Sequence, residues 1–312
     1  MSADGSMEPP STREALVPAD RKELVTGIYR ATETGDVAIL DRVLSADVIE
    51  HPLNPGQVRG RDSIKMIFGG LSSLVAELTL TNEDIISSGD RVAVRSTVAG
   101  IAIGPYLGVP PSDRPLSFEA IDIWRIADHR VVEGWHIEDF AGILGQWDLI
   151  AVPPSSTLAT VAVPATQHDG TQPEAAIAVV SRWYEAVQRL DLEAAEQLVH
   201  QDFVSHGPIG PWIGFSGGRD AVIRDVSALH RAFPDIDIAV ADLFAEENKV
   251  VARLVVRGTQ LGDLPTIPAT ARRGCVMGHE IWTVAGGKLI EHWGRFEDLD
   301  LLQQLGVLAA PS

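Results

Sequence analysis

The sequence repeats itself, and this repeat limits the possible folds more than any other feature of the chain. Near the start, residues recur 155 positions later, as Tyr29 and Tyr184 do, or His51 and His206. Further along the offset is 158 positions, in the pairs Arg95 and Arg253, Trp124 and Trp282, Glu133 and Glu291, Trp135 and Trp293. An insertion of three residues within 207–218 accounts for the change of offset. We infer two copies of one domain in a single chain.

The length of the chain agrees with two domains. A chain of 312 residues is long for one ordinary domain, and a copy of about 130 residues can bury a core of its own. Residues 1–18, rich in Ser, Pro and charge, are predicted to be a disordered leader. Residues 19–150 are the first predicted domain and 174–312 the second. The segment 151–173, dense in Pro, Ser, Thr and Ala, is predicted to be a linker.

Each copy is predicted to contain three helices followed by four strands. In the first copy the helices are 21–32, 37–44 and 63–75, and the strands 77–87, 91–101, 117–126 and 130–137. In the second copy the helices are 175–189, 192–199 and 219–232, and the strands 235–245, 249–260, 275–284 and 288–296. Short extended pieces, 47–52 and 203–206, follow the second helix. The predicted fold class is α+β, with two cone domains in which three helices pack on a curved antiparallel sheet around a central pocket.

Charge and motifs exclude several classes of function. The formal net charge of −18 argues against nucleic acid or an anionic membrane as a partner. The nine histidines and the single Cys275 form no HExxH or Cys/His motif, and no nucleotide-binding motif is present, so neither a metal nor another cofactor is expected. No signal peptide or membrane-spanning run is evident, which makes the cytoplasm the expected location.

Several segments of the second copy resemble a known family. They are Phe203-Val204-Ser205-His206-Gly207-Pro208, Arg219-Asp220, Phe233-Pro234-Asp235, Gly258-Thr259 and Gly287-Lys288-Leu289-Ile290-Glu291-His292-Trp293. Together they resemble the SnoaL-like polyketide cyclases, which share the NTF2-like superfamily with ketosteroid isomerases and limonene-type epoxide hydrolases. The resemblance covers nearly all of the second copy and, more faintly, the first. It implies the fold more strongly than the chemistry, because such folds host many functions.

The resemblance also implies roles for single residues. His206 and His51 match the general-base position of the isomerases, Glu280 and Asp122 match a hydrogen-bonding acid, and Trp183 and Ile28 match a pocket tyrosine. The cyclases usually carry a catalytic aspartate directly after the His-Trp pair. In this chain Gly294 stands there in the second copy and His136 in the first.

Alternation along the last strand of each copy sorts the remaining candidates. His292, Gly294 and Phe296 share one face, and so do Gly134, His136 and Glu138. The resemblance places this face toward the pocket. We therefore expect His51, Asp122, His136 and Glu138 to converge in one cavity, and His206, Glu280 and His292 in the other, with Ile28, Trp183 and Phe296 as pocket walls. Trp135 and Trp293 fall on the opposite face, where the two sheets are expected to meet as an intrachain pseudo-dimer.

A carboxylate beside an imidazole in an apolar pocket can move protons near neutral pH. We therefore expect a cofactor-free acid–base enzyme acting on a small apolar, polyketide-like intermediate, with ring closure as the leading reaction. One alternative is an epoxide hydrolase, or an enzyme that opens an epoxide to form a cyclic ether. Another is a protein that binds a small molecule without catalysis, since single buried histidines are more often structural. We expect the chemistry in the first copy, because His136 stands where the second copy has Gly294, although the second copy keeps more of the family's sequence.

Overall fold

The computed structural model describes residues 17–53, 57–105, 109–110, 113–152, 170–208, 210–213 and 215–309. Most of the predicted leader (1–18) and of the predicted linker (151–173) lies outside the described residues. Below, the first half means the described residues up to 152, and the second half those from 170 onward.

The first half is a five-stranded sheet covered by helices. Its elements are α1 (Pro18–Thr34), a 3₁₀ turn (Val37–Ile39), α2 (Leu40–Val43), β1 (Leu44–His51), α3 (Arg61–Gly70), a second 3₁₀ turn (Leu71–Ser73), β2 (Val75–Ser88), β3 (Arg91–Ala102), β4 (Arg114–Ala127), β5 (Arg130–Glu138) and α4 (Phe140–Gln146). The strand order is β1-β5-β4-β3-β2. The pair β1–β5 is parallel and the other pairs are antiparallel.

The second half repeats this arrangement with one additional short strand. Its elements are α5 (Pro173–Arg189), α6 (Leu192–Leu198), β6 (Val199–Pro208), β7 (Phe215–Gly217), α7 (Arg219–Ala232), β8 (Asp237–Glu246), β9 (Lys249–Thr259), β10 (Arg273–Ala285), β11 (Lys288–Phe296) and α8 (Asp298–Gln304). The strand order is β7-β6-β11-β10-β9-β8, and β6 runs parallel to β11.

Local sequence explains the best-predicted elements. Helix α5 buries Val180, Trp183, Tyr184 and Val187, the spacing of one helical face. The predicted glycine turn joins β10 to β11, and Gly286 and Gly287 have φ values of 56° and 71°, a left-handed conformation that glycine adopts without strain.

Two details differ from the sequence predictions. The second predicted helix of the first copy is only a 3₁₀ turn and one α-helical turn, and the third ends at Gly70 rather than Val75. The extended pieces 47–52 and 203–206 lie in β1 and β6, which join the sheets in parallel, so each sheet is mixed rather than wholly antiparallel.

The two sheets pack against each other face to face, as predicted for an intrachain pair. A buried apolar cluster joins them, made of Ile86, Ala93, Ile121, Ile123 and Trp135 from the first half and Phe244, Val251, Ile281 and Trp293 from the second. Each large aliphatic or aromatic side chain buried in this way contributes roughly 1.5–3 kcal/mol. None of the helices described is long and apolar enough to cross a membrane.

Charged residues frame this cluster with approximate twofold symmetry. Asp84 pairs with Arg95 of its own sheet and with Lys249 of the other. Asp242 pairs in the same way with Arg253 and, across the interface, with Arg91. The guanidinium of Arg95 lies 4.6 Å from the Trp293 ring and that of Arg253 lies 4.4 Å from the Trp135 ring, each across the interface. A surface patch that meets its own copy in this way is typical of twofold dimers.

Candidate functional site

The inner face of β4 carries a buried acid held by an aromatic pair. Asp122 is 6% exposed, and its Oδ2 accepts the hydroxyl of Tyr29, from α1, at 2.7 Å. The indole N–H of Trp124 donates to the same hydroxyl oxygen at 3.0 Å. Burial and the negative charge of Asp122 raise the pKa of Tyr29 well above its ordinary value, so Tyr29 is a neutral donor at neutral pH.

His136 lies between two carboxylates. Its Nδ1 is 3.4 Å from Asp122 Oδ1, and its Nε2 is 3.3 Å from Glu50 Oε1. Burial alone would lower the pKa of His136, but the interactions with Asp122 and Glu50 raise it well above its ordinary value. The ring is therefore an imidazolium at neutral pH. Its Nε2 is buried, and among the described residues no acceptor is aligned with it for a hydrogen bond.

Glu138 is a second titratable side chain on the face that carries His136. It follows His136 by two residues on β5, so both side chains share a face. Its side chain keeps part of its surface exposed, yet burial raises its pKa to about 7, opposed by His136 and reinforced by Asp122 and Glu50. A carboxyl with a pKa near 7 can both accept and release a proton at neutral pH.

The second half repeats the acid with its aromatic pair. Glu280, 1% exposed, accepts the hydroxyl of Tyr184 at 2.5 Å. The indole N–H of Trp282 lies 2.9 Å from that hydroxyl and 3.1 Å from Glu280 Oε2. As in the first half, burial and the carboxylate raise the pKa of the tyrosine well above its ordinary value. We call Tyr29, Asp122, Trp124 and His136 the first-half site, and Tyr184, Glu280, Trp282 and His292 the second-half site.

The histidine of the second-half site comes from a different strand position. His292 Nε2 lies 3.5 Å from Glu280 Oε1, and Nδ1 lies 2.9 Å from Ser205 Oγ. His136 is directly opposite Asp122 across the β4–β5 pair, whereas His292 is opposite Trp282 and reaches Glu280 diagonally. Glutamate has one methylene group more than aspartate, which extends its reach along this diagonal. The two halves share one strand register and build the same contact from histidines at different positions of the last strand.

In each half a glycine of the last strand makes room for an aromatic ring, His292 in the second half and Trp124 in the first. A Cβ atom at Gly294 would lie 2.5 Å from Pro208 O and 2.8 Å from His292 Cε1. A Cβ atom at Gly134 would lie 2.5 Å from the Trp124 ring. Position 294, where the family resemblance leads us to expect an acid, therefore has no space for any side chain in this conformation.

Solvent reaches the two sites to different degrees. The side chains of His136 and Glu50 are 14% and 10% exposed. Those of His292 and Glu280 are 0% and 1% exposed. The first-half site is therefore the more open of the two.

A narrow cavity adjoins the second-half site. It has room for about one water molecule in this conformation. Trp183 and Phe296, predicted as pocket walls, line it together with Tyr184, Glu280 and Pro211. Ile28, the third predicted wall residue, is 2% exposed within the core of the first half.

His51 and His206 do not lie with the other candidates, and the prediction that they converge with them is wrong. His51 Nε2 bonds to Glu133 Oε1 at 3.0 Å, and its ring stacks on Trp135. His206 bonds to Glu291 and stacks on Trp293 in the same way. The reason is the parallel register, which pairs Glu50 with Gly134 and His51 with Trp135 and so directs the two neighbours to opposite faces.

Sequence reasoning missed six residues that form or adjoin these sites: Tyr29, Tyr184, Trp124, Trp282, Glu50 and Ser205. The two tyrosines recur at the 155-residue offset, which was the available signal. Glu50 and Ser205 each precede a histidine, so alternation within the extended pieces places them on the face opposite His51 and His206. Among the described residues, no group of three or more His, Cys, Asp or Glu side chains could hold a metal ion.

Comparisons with known proteins agree with the repeat. The family model described as SnoaL-like polyketide cyclase matches residues 22–147 and, again, 178–305. Similar solved structures include TsrD from Streptomyces laurentii, with 30% identity, 44% of this chain and 100% of that chain covered, and a TM-score of 0.41. IdmH, a putative polyketide cyclase from Streptomyces antibioticus, is 28% identical, with 41% of this chain and 98% of that chain covered and a TM-score of 0.38. AclR, a putative hydroxylase from Streptomyces galilaeus, is 25% identical, with 44% of this chain and 84% of that chain covered and a TM-score of 0.39. The comparison with curated proteins finds no match.

Proposed function

The chain belongs to the SnoaL-like polyketide cyclase family, and from this premise we propose that its first half closes a ring in a small, largely apolar polyketide-like intermediate by cofactor-free acid–base catalysis. One observation carries the proposal. The imidazolium of His136 is oriented by Asp122, and its buried Nε2–H has no aligned acceptor among the described residues. A substrate carbonyl oxygen is a suitable acceptor for such a donor.

The proposed reaction is an intramolecular aldol addition. Glu138, with a pKa of about 7, removes a proton from carbon next to a carbonyl group, and the enolate oxygen accepts a hydrogen bond from His136 Nε2. The enolate carbon attacks a second carbonyl carbon of the same molecule, forming the new carbon–carbon bond. The alkoxide formed there takes the proton back from Glu138, so the product is an isomer of the substrate. His136 and Glu138 are two residues apart on β5, a separation of about 7 Å. A substrate can span this distance, with its C–H group at Glu138 and its neighbouring carbonyl oxygen at His136.

The supporting residues have separate tasks. Asp122 holds Nδ1 of His136 and stabilises its charge. Tyr29 and Trp124 hold Asp122 in place. Glu50 lies near Nε2 without hydrogen-bond alignment, and Gln57 contacts its other oxygen at 2.5 Å. Glu50 adds negative charge beside the imidazolium, and its contact with Nε2 must open before Nε2–H can donate to the substrate.

Epoxide opening is a second candidate because of one feature of Glu138. A carboxyl with a pKa of about 7 is partly protonated at neutral pH and can give that proton to an epoxide oxygen. The nucleophile is then a water molecule or a hydroxyl of the substrate, with the carboxylate of Asp122 as its proton acceptor.

For the second half, we propose ligand binding or support of the first half without turnover. The support is that Glu280 and His292 are almost fully enclosed and that Gly294 offers neither an acid nor space for one.

Mass spectrometry distinguishes these reactions. The purified protein is incubated in D₂O with esters of linear β-polyketones and, separately, with hydroxy-epoxides. Aldol ring closure gives an isomer in which the enolised carbon has exchanged one C–H bond for a new carbon–carbon bond. Epoxide hydrolysis adds one water, whereas internal epoxide opening gives an isomer without C–H exchange.

Two histidine variants provide the matched comparison. His136→Gln should lose on the order of 10²–10⁴-fold in rate, whereas His51→Gln, on the opposite face of the same sheet, should stay near the wild type. Equal rates for wild type and His136→Gln would refute the proposal.

A further inference from the structure

Some polar contacts between the two sheets break the approximate twofold symmetry, and two of them run from the second half to β4. His279 Nδ1 lies 2.6 Å from the carbonyl oxygen of Ile121. Arg295 forms an ion pair with Glu119. At the 158-residue offset, His279 corresponds to Ile121 itself, so no equivalent histidine reaches from the first half to the second. Arg295 corresponds likewise to Ile137 and Glu119 to Met277.

Both contacts hold the strand that carries the acid of the first-half site. Ile121 directly precedes Asp122, and Glu119 lies three residues before it, all within β4. Ile121 and Ile123 belong to the cluster between the sheets, whereas Asp122 faces the opposite side, toward Tyr29 and His136. A shift of β4 at residue 121 therefore moves Asp122.

His279 is suited to hold this position because it is buried and uncharged. It is 0% exposed, at the pseudo-twofold interface. Burial lowers its pKa to about 4; the Ile121 carbonyl and Asp122 oppose this fall, and Arg253 and His136 add to it. The ring is therefore neutral between pH 5 and pH 9, and because Nδ1 faces a carbonyl oxygen, Nδ1 carries the proton. Nε2 is buried without a hydrogen-bond partner among the described residues, so the bond to Ile121 alone orients the ring.

We propose that His279 is a positioning residue for the first-half site, through which the second half fixes Asp122 against His136 across the sheet interface. His279 contacts no substrate and acts through the backbone of β4. This assigns the second half a defined contribution to the first-half reaction, and it rests on the function proposed above.

Substitutions at position 279 test the idea without adding or removing charge. His279→Ile introduces the residue that the first half has at the corresponding position and removes the donor to Ile121. His279→Asn keeps a donor near the place of Nδ1 and is the rescue variant. Phe244→Leu, elsewhere in the same apolar cluster, loosens the interface without touching β4 through a polar contact and is the control for general destabilisation.

The main readout is the titration of the His136 imidazole, followed by NMR on the full chain and assigned by comparison with His136→Gln. In the wild type, Asp122 and Glu50 raise the pKa of His136 well above its ordinary value. In His279→Ile the contact with Asp122 loosens, and the titration midpoint should fall. It should stay at the wild-type value in His279→Asn and in Phe244→Leu. Because His279 is neutral throughout, a lower midpoint reports geometry rather than a lost charge.

Kinetics on whichever probe compound the wild type turns over give a second readout. His279→Ile should lower kcat about 10-fold, less than the roughly 10²-fold that a 1 Å misplacement of a catalytic group costs, with KM within about twofold. His279→Asn should restore kcat.

Two results would overturn the inference. One is an unchanged His136 titration in His279→Ile, and the other is an equal shift in Phe244→Leu. If the wild type turns over none of the probes, the proposed function fails, but the titration still decides whether His279 positions the site.

Discussion

Glu133 and Glu138 lie five residues apart in β5, on opposite faces, and the structure predicts that stability responds to pH with opposite signs at the two positions. Burial raises the pKa of Glu138 to about 7 from the ordinary 4.5. The folded protein therefore binds a proton at Glu138 that the unfolded chain has already released, and stability falls as pH rises from about 4.5 to about 7. At about 1.4 kcal/mol per pH unit, the ionised Glu138 costs up to about 3 kcal/mol at pH 8. Because part of the side chain is exposed, water screens some of this, and about 1–3 kcal/mol is expected.

Glu133 should show the reverse. Burial would raise its pKa, but the hydrogen bonds from His51 and Arg125 outweigh burial and lower it below the ordinary value. Its folded-state pKa is depressed, so its contribution to stability is present above the unfolded value and is lost as pH falls through the folded value.

The assay is urea unfolding of the wild type, Glu138→Gln and Glu133→Gln at pH 5 and at pH 8. Glu138→Gln should be more stable than the wild type at pH 8, by about 1–3 kcal/mol, with a much smaller difference at pH 5. Glu133→Gln should be less stable than the wild type at pH 8. If the difference between Glu138→Gln and the wild type is the same at both pH values, Glu138 does not titrate near 7, and the proton acceptor of the proposed reaction is lost.

Three further outcomes follow from the structure. Gly294→Ala places a Cβ atom 2.5 Å from Pro208 O and should lower the free energy of unfolding by about 1–3 kcal/mol. Gly70→Ala is the control, because a Cβ atom there meets nothing within 4 Å, and it should be neutral or slightly stabilising. Equal losses of stability in the two variants would refute the packing argument. His206→Gln should change ring-closure turnover less than twofold, because His206 and its partner Glu291 lie on the sheet face opposite the site. A loss near 10²-fold would show that His206 takes part in the reaction. Turnover should survive exhaustive chelation with EDTA, and a loss restored by a divalent cation would contradict the proposed chemistry.

The sequence predicted the parts of the fold that depend on local pattern. The repeat, the Gly286-Gly287 hairpin and the amphipathic face of α5 are each readable from neighbouring residues. The outward position of Trp135 and Trp293 followed from alternation, and both lie between the sheets. The ion-pair network around Arg95 and Arg253 extends over both halves, so its partners could not be read from either copy alone.

The site was harder to predict, because two side-chain directions depend on strand register. Alternation separates Glu50 from His51, but only the parallel pairing of β1 with β5 shows that Glu50 is the one facing His136. The resemblance pointed to His51 at this place, and the structure corrects it. Likewise, no spacing rule indicates that His292 reaches Glu280 along a diagonal while His136 faces Asp122 directly. These contacts depend on the additional methylene group of Glu280 and on the space left by Gly294, and the alternation of residues along a strand predicts neither.

The most direct test of the central claim compares the two buried acids in the same assay. Asp122→Asn and Glu280→Gln are nearly isosteric, so each should fold and keep its tyrosine contact. If the first half carries the reaction, Asp122→Asn should lower turnover by on the order of 10²–10⁴-fold, and Glu280→Gln should leave it within about twofold. Loss of turnover in Glu280→Gln with full activity in Asp122→Asn would place the chemistry in the second half and contradict the account.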